Sequence, residues 1–477
     1  MPSKKLIMAV LLATAIIIGS GVAFGGVAYA DHGREVKPNE NGSIPFVEPD
    51  QNPYECWTAE GEPCPIDHGD TAWMLTASAL VLFMTPGVAF FYGGLARSKN
   101  VVSTIGMCFI VMGIISVQWV LYGYSLAFGP PTEGVHNFVG DFSYALLNGV
   151  SHEAPLRVGD SWMSIPHQTF MIFQAMFAII TPALIVGGLV DRMKFSAFVI
   201  FIVLWATFVY DPVAHWVWGG GFLMDLGALD YAGGTVVHIT SGWSALAGAL
   251  ILGRRIGYGK IPMESHNVPM VVLGAAILWF GWFGFNAGSG LAADGRDTSA
   301  FVVTNTATAM ASLAWVFMSW AHTGKPSIVG AASGAVAGLV AITPASGFVG
   351  VMGAIIIGLA AGIICYAAVV FKNRRRWDDA LDVWGIHGIG GTVGAILTGV
   401  LANEHIGGVA GGWEGNYMQI AINSLGAGVS IAYAFGLTLL ILKVMDIVWP
   451  GGIRVTPKEE EIGLDITQHG EKAYATA

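Results

Sequence analysis

The sequence predicts an all-α polytopic membrane protein with eleven transmembrane helices. Hydrophobic residues make up 54% of the chain and charged residues only 11%, whereas a soluble domain carries about 25% charged residues. Apolar runs of about 20 residues, the length that crosses a bilayer, recur along the chain. The 65 glycines fit this class, because small residues let membrane helices approach closely.

The first thirty residues have the pattern of a secretory signal. Lys4 and Lys5 form a basic start, residues 6–18 are a short apolar run, and Ala-Tyr-Ala at 28–30 is a small-x-small cleavage site. A first transmembrane helix is the alternative, but the apolar run is short and the glycines at 19–26 disfavour a helix. We predict a cleavable signal peptide at 1–30, an exported segment at 31–70, a transmembrane domain at 71–448 and a cytoplasmic tail at 449–477.

The exported segment carries two cysteines, Cys56 and Cys64, whereas the other two lie in apolar helices. A disulfide between them is favoured outside the cytoplasm. A metal site that also uses His68, or two free thiols, are the alternatives.

The spans follow from the apolar runs. We expect them to start near Ala72, Val101, Ile165, Phe195, Thr235, Val268, Ala300, Ile328, Phe348, Gly385 and Met418. The eighth is short and rich in glycine.

The distribution of basic residues sets the orientation. Lys and Arg concentrate in alternate loops and in the tail, while the other side has only Arg34, Lys37, Arg157 and Arg296 after the signal. Basic residues mark the cytoplasmic side, so the mature N-terminus is predicted outside and the C-terminus inside.

Weak internal similarity suggests an inverted repeat of five and five spans plus one. Span one ends with "GVAFFYGG" and span six with "GWFGFNAGS", while span five carries "GGTVVH" and span ten "HGIGGTVG". Spans one and six have opposite orientations, as in repeats that enclose a path between two halves.

Two histidines, His238 and His387, lie inside spans five and ten. His238 follows Asp230 by ~12 Å of helix, and His387 follows the basic Arg376 by ~16 Å. In a hydrocarbon core of ~30 Å both rings fall at nearly the same depth, so we expect them to be neighbours. Buried histidines that bond to backbone carbonyls, a metal site and a relay for a proton or substrate are the competing interpretations; zinc requires three or four ligands.

Aromatic residues cluster near the outer ends of the spans. Trp216 and Trp218 lie in "HWVWGGG", and Trp282, Phe283 and Phe285 lie in "GWFGFNAGS". An interfacial aromatic belt explains such residues, and a tryptophan face beside a hydroxyl also binds small cations.

With these motifs, the chain resembles the Amt/Mep/Rh ammonium transporters, and the bacterial Amt branch most closely. The resemblance runs from about Ala72 to the C-terminus and rests on "FYGGLARSKN", "GALDYAGGTVVHI", "GWFGFNAGS", "DVWGIHG" and "GLDITQHGEKAY". It implies an Amt-type fold in a homotrimer with a pore in each subunit.

Matched motif by motif, the resemblance implies an outer ammonium recruitment site at Trp218 and Ser289, supported by Asp230, which also takes part in deprotonation. Phe177 and Phe285 would be the two stacked rings of the gate.

Deeper in the pore, the resemblance implies that His238 and His387 are the twin-histidine pair. Gln174, Trp282 and Asp382 are weaker candidates. No catalytic residue, cofactor or bound metal is implied.

We therefore predict an ammonium transporter of the plasma membrane that deprotonates NH4+ and conducts NH3, with or without a separate transfer of the proton. Methylammonium is a further expected substrate. A sensor that binds ammonium without conducting it is the alternative, and a membrane enzyme fits least. The expected partners are the lipid bilayer, two further copies of the chain and a PII-type signalling protein at the cytoplasmic face, with no nucleic acid.

The first testable prediction concerns the exported cysteines. Cys56 and Cys64 should be oxidised to each other in exported protein, because the compartment favours disulfides. Mass spectrometry of an unreduced digest measures this, with the thiols of Cys108 and Cys365 as internal controls for alkylation. Free thiols at both positions would contradict the prediction.

Overall fold

The computed structural model describes residues 66–130, 138–158 and 161–474. The predicted signal peptide, the Cys56–Cys64 pair and most of the exported segment therefore lie outside the described residues. Within the described part, ten helices are long and apolar enough to cross a membrane, and Ile328–Ile342 is a shorter apolar helix. Together they confirm the all-α class and the eleven-helix count.

The helices begin within about five residues of the predicted starts. In chain order they are α1 (His68–Leu95), α2 (Ser98–Phe128), α3 (His167–Leu189), α4 (Phe195–Asp225), α5 (Gly234–Leu252), α6 (Val268–Gly290), α7 (Gly295–Thr323), α8 (Ile328–Ile342), α9 (Val351–Arg375), α10 (Trp384–Leu401) and α11 (Tyr417–Val448). The glycine-rich eighth helix is the short one, as its sequence indicated.

Four of these helices contain a π-helical stretch within the described chain, two of them at Trp119–Gly123 in α2 and at Ala206–Tyr210 in α4. The other two, at Gly234–Ile239 and Trp384–Gly388, open α5 and α10. Such stretches are uncommon and are often found at functional sites.

The loops carry only short elements. An antiparallel pair, β1 (Pro155–Val158) and β2 (Ser161–Pro166), precedes α3. The tail beyond α11 forms α12 (Pro457–Ile462) and a π-helical turn at Asp465–His469.

Helices α1 and α6, the first helices of the two predicted repeats, pack with their backbones in contact. A Cβ atom at Gly274 would collide with the backbone nitrogen of Phe91, and one at Gly281 would lie 2.7 Å from the carbonyl oxygen of Leu80. Dispersion contacts replace the hydrophobic effect as the packing force in a bilayer, so this close approach stabilises the pair.

Two buried aspartates bind the basic side chains of several loops. Asp378 accepts from Arg255 at 2.8 Å and from Arg192 at 3.2 Å, while Asp191 pairs with Arg97 at 2.8 Å and with Arg255 at 3.2 Å. Arg255 bridges both aspartates. Buried charges require such partners, so this network ties together the C-terminal ends of α1, α3, α5 and α9.

The tail docks onto the same network. The backbone N–H of Leu464 donates to Asn100 Oδ1 at 2.7 Å, and Asn100 in turn donates to Asp191. Asp465 accepts from the backbone N–H of Ser103 at 2.8 Å. The tail is therefore a folded part of the same face of the helix bundle as this network.

Further tail contacts reach the loop between α3 and α4. Val455 donates to the carbonyl of Arg192 at 2.9 Å, and Lys194 donates to the carbonyl of Ile453 at 3.0 Å. The apolar residues Ile462, Leu464 and Ile466 of the tail sequence predict that it docks on Arg192, Lys194 and the basic cluster at 372–376, and the first two of these do meet it. We also expected contact with the basic cluster at 372–376, but the described tail forms no hydrogen bond to it. Instead, the backbone carbonyl of Arg376 in that cluster accepts from Arg254.

The second prediction concerns Asp378. Burial alone would raise the pKa of its carboxyl, but hydrogen bonds from Arg255 and the charges of Arg192 and Arg255 outweigh burial, and the pKa lies below its ordinary value. A depressed pKa contributes stability that is present above the unfolded-state pKa of about 3.9 and is lost as the pH falls below it.

We expect Asp378→Asn to destabilise the protein by about 3 kcal/mol at neutral pH, because two arginines lose their buried counter-charge. Melting of the purified protein in detergent measures the effect. Asp225→Asn is the matched control, because that carboxylate is exposed at the end of α4 and belongs to none of the ion pairs between described residues. Equal melting temperatures for both variants would contradict the prediction.

Candidate functional site

Two imidazoles meet in the interior of the transmembrane domain. Nδ1 of His238 and Nδ1 of His387 are 3.3 Å apart, and the ring centroids are 5.3 Å apart. Both side chains are buried, at 1% and 4% exposure. The neighbours expected from their equal depths in the sequence are therefore in direct contact.

The backbones of α5 and α10 bring the rings together. Each histidine lies in the π-helical stretch that opens its helix. A Cβ atom at Gly242 would collide with the backbone nitrogen of Gly388, and one at Gly391 would lie 3.0 Å from Cβ of His238. Glycines on both helices thus permit the close crossing that the imidazole contact requires.

The Nδ1–Nδ1 contact fixes a relation between the two tautomers. When both rings are neutral, the Nδ1 of one ring carries a proton and donates a hydrogen bond to the bare Nδ1 of the other. The donating ring then has a bare Nε2, and the accepting ring has an Nε2–H. The pair consequently offers one acceptor and one donor, and Nε2 of His238 has no partner among the described residues.

Aromatic rings pack against the imidazole of His238. Trp282 stacks on the imidazole with centroids 5.2 Å apart and an angle of 24°, and Phe285 lies 5.9 Å away at 20°. The indole N–H of Trp282 donates to Thr343 Oγ1 at 2.9 Å. Trp282, a weak candidate in the sequence, therefore forms a wall beside the histidine pair.

Phe177 lies against Phe285 with ring centroids 4.4 Å apart. Both rings are almost fully buried. Trp218 contacts Phe177 edge-on at 5.8 Å. The order Trp218, Phe177, Phe285 and His238 is thus a continuous series of ring contacts that runs inward.

Trp218 and Ser289 lie at the partly exposed end of this series. The indole N–H of Trp218 donates to the backbone carbonyl of Asp230 at 2.9 Å. Ser289 donates its hydroxyl to the carbonyl of Phe285 at 2.8 Å, so the lone pairs of its oxygen remain able to accept from a cation.

Asp230 binds the first N–H groups of α5. Its carboxylate accepts four backbone hydrogen bonds, from Gly233, Gly234, Thr235 and Val236, at 2.7–3.1 Å. Hydrogen bonds of this kind stabilise the ionised form of a carboxyl. Asp230 therefore holds the loop that supports Trp218 and the start of the helix that carries His238.

The remaining weak candidates occupy two different places. Gln174 is one turn before Phe177 on α3, buried, with its Oε1 without a hydrogen-bond partner in the described chain. Asp382 lies in the loop between α9 and α10, where it pairs with Lys372, and its backbone carbonyl accepts from Ile386 at 3.0 Å. Asp382 thus supports the start of α10 rather than the ring series.

Sequence reasoning did not find Thr343, Gly242 or Gly391 as parts of this site. Thr343 orients Trp282, and the glycines admit the contact between α5 and α10. The "GGTVVH" and "HGIGG" motifs contained the glycine signal, but no local pattern pointed to a threonine at the end of α8.

Comparison with known proteins gives a consistent result. The profile of the Ammonium Transporter Family matches residues 72–474. A relative named "Ammonium transporter" from Aquifex aeolicus (strain VF5) is 52% identical over 412 residues, which cover 86% of this chain and 94% of the relative.

Solved structures agree with the same fold. The crystal structure of Saccharomyces cerevisiae Mep2 is similar with a TM-score of 0.78 and 37% identity, covering 86% of this chain and 92% of that one. A structure described as "Sensor Amt Protein" is similar with a TM-score of 0.77 and 28% identity, covering 84% and 98%.

The third prediction concerns Asp230. Asp230→Ala should destabilise the protein by about 2 kcal/mol or more, because it removes a helix cap and leaves four N–H groups without an acceptor. Thermal melting in detergent measures this loss. The matched control is Asp225→Ala, which removes an exposed carboxylate from the end of α4; the same stability for both variants would refute the capping role.

Proposed function

Because the chain belongs to the Ammonium Transporter Family, a family of transporters rather than enzymes, we propose that it conducts ammonium nitrogen through its own helix bundle. One observation carries the mechanism that we propose: the 3.3 Å contact between the imidazoles of His238 and His387. Titratable rings are energetically costly to bury in a membrane interior, and such residues usually mark a pathway for a substrate or a proton.

The proposed route begins at the outer end of the ring series. NH4+ binds against the face of Trp218 and donates to the hydroxyl oxygen of Ser289. Cation–π attraction supplies about 0.5–2 kcal/mol for such a cation. Asp230, held by four N–H groups, adds negative charge beside the site.

Energetics favour loss of the proton before entry. The idealised cost of moving an ammonium-sized ion into low dielectric is ~20 kcal/mol, far more than cation–π attraction returns. With a pKa near that of a lysine amine, ~10, deprotonation at pH 7 costs ~4 kcal/mol. The cargo that passes Phe177 and Phe285 is therefore NH3.

Beyond the phenylalanines, the histidine pair provides one hydrogen-bond acceptor and one donor for NH3 or for the released proton. In this proposal Trp282 fixes the orientation of the His238 ring by stacking on it. No metal enters the mechanism; imidazole hydrogen bonds alone suffice for a neutral substrate.

A sensing function is the second candidate, because one structural neighbour is described as a sensor Amt protein. That neighbour is 28% identical, whereas the Aquifex aeolicus relative named as a transporter is 52% identical. The larger identity favours transport, and an uptake assay separates the two functions.

We further propose a plasma-membrane location with the mature N-terminus outside and the tail in the cytoplasm. Basic residues mark the cytoplasmic side of a membrane protein. Support comes from the ion network, in which Arg97, Arg192 and Arg255 from three loops meet beside the docked tail.

The protomer is proposed to act in a homotrimer, with a PII-type protein as its regulator at the cytoplasmic face. The folded tail supports regulation, because Glu460 binds Arg454 at 2.7 Å and the backbone N–H of Ile256 at 2.6 Å. A partner that displaced this tail would loosen the loop that follows α5, the helix that carries His238.

The fourth prediction tests conduction. His238→Ala should lower methylammonium uptake into liposomes, or alter its selectivity, while the protein stays folded, because alanine keeps helix propensity and removes the imidazole. Currents on solid-supported membranes report whether charge moves with the substrate.

His405→Ala serves as the matched control, since that histidine is exposed in the short helix Glu404–Gly407, which follows α10. Wild-type uptake and selectivity in His238→Ala would reject the relay and leave a purely packing role. Saturable binding of ammonium without any uptake by the wild-type protein would favour the sensor.

A further inference from the structure

A second aspartate is buried within the helix bundle, outside the ring series of the site. Asp211 is fully buried in α4, directly after the π-helical stretch Ala206–Tyr210. Its Oδ2 lies 2.8 Å from Nε2 of Gln118 on α2. The other carboxyl oxygen, Oδ1, and the amide oxygen of Gln118 have no hydrogen-bond partner among the described residues.

Asp211 and Asp230 have opposite surroundings. Asp230 accepts four backbone N–H groups at the beginning of a helix. Asp211 lies inside a continuous helix, where the N–H groups are used by the helix itself, and the next residue is Pro212, which has no N–H. A single amide faces its carboxyl, so nothing comparable stabilises a negative charge there.

No cation neutralises Asp211 within the described chain. None of the ion pairs between described residues includes it. An ionised carboxylate that is buried without a counter-charge is strongly disfavoured, and such a group binds a proton instead.

We propose that Asp211 is a proton-binding site in the outer half of the membrane domain, and that the bound proton is shared with the side-chain amide of Gln118. The oxygen and nitrogen of an amide are interchangeable in shape. With the amide turned over, the carboxylic O–H of Asp211 donates to the carbonyl oxygen of Gln118 across the same 2.8 Å.

The packing selects a proton over a larger cation. The two unpartnered oxygens are closed to solvent, and a Cβ atom at Gly123 would lie only 2.6 Å from Oε1 of Gln118. A sodium or ammonium ion needs a cavity and several oxygen ligands, whereas a proton needs neither.

Three other titratable side chains lie near this pair. Tyr122 and Tyr210 carry phenols close to Asp211, and the hydroxyl of Tyr122 bonds to Thr207 at 3.0 Å. His215, one turn further along α4, has its Nδ1 3.0 Å from the carbonyl oxygen of Ala127. Oδ1 of Asp211 accepts a hydrogen bond from none of them.

This proton is distinct from any that ammonium releases. Asp211 lies about two turns before Trp218 on the same helix, and its hydrogen bond is to α2 rather than to the ring series. The inference therefore goes beyond the proposed function and stands if conduction fails its own test.

Infrared spectroscopy of the purified protein in an ester-free detergent tests the proposal. The spectrum of the wild-type protein minus that of Asp211→Asn should contain the carbonyl band of a protonated carboxylic acid, and that band should move in heavy water. The matched control is Asp230→Asn, whose difference spectrum should instead show the loss of an ionised carboxylate.

A second variant keeps the proposal testable if Asp211→Asn does not fold. In Gln118→Leu the acid loses its hydrogen-bond acceptor, so its carbonyl band should remain and shift to higher frequency. Loss of carboxylate bands with no acid band in the Asp211→Asn difference, or an acid band unmoved by Gln118→Leu, would overturn the proposal.

Discussion

The contact between the imidazoles of His238 and His387 is the interaction around which the rest of the interior is arranged. Two rings meet at 3.3 Å only if their helices cross with backbones almost touching, and the crossing in turn excludes every side chain larger than hydrogen at Gly242. Since hydrocarbon offers no water to satisfy a polar group, each ring must also be held by its neighbours. The aromatic wall of Trp282 and Phe285 follows from that need.

Most of the helix positions and the histidine pair could be predicted from the sequence. The contacts that could not be predicted were missed for physical reasons. Span positions follow from the lengths of the apolar runs, and the pairing of His238 with His387 follows from depth, because the bilayer supplies a common coordinate for all helices. The partner of Asp211 was not predictable, since Gln118 is 93 residues away and depth alone does not give rotation about a helix axis. Nor were the four N–H donors to Asp230, which depend on the conformation of a turn.

The tail illustrates the same limit. Its apolar residues Ile462, Leu464 and Ile466 predicted docking on the basic loops, and the tail does meet Arg192 and Lys194. The cluster at 372–376 is equally basic but does not hydrogen-bond to the described tail, because specific acceptors such as Oδ1 of Asn100 direct Leu464 elsewhere. Net charge sets which side of the membrane a segment occupies, and hydrogen-bond geometry sets where on that side it docks.

The π-helical stretches at Gly234–Ile239 and Trp384–Gly388 limit where a residue can be deleted from the chain. A π-helical turn is an α-helix with one residue added, and each residue turns a helix by about 100°. Deleting one residue in either stretch would restore a regular α-helix but rotate the imidazole away from its partner. Neither stretch is therefore expected to tolerate a deletion.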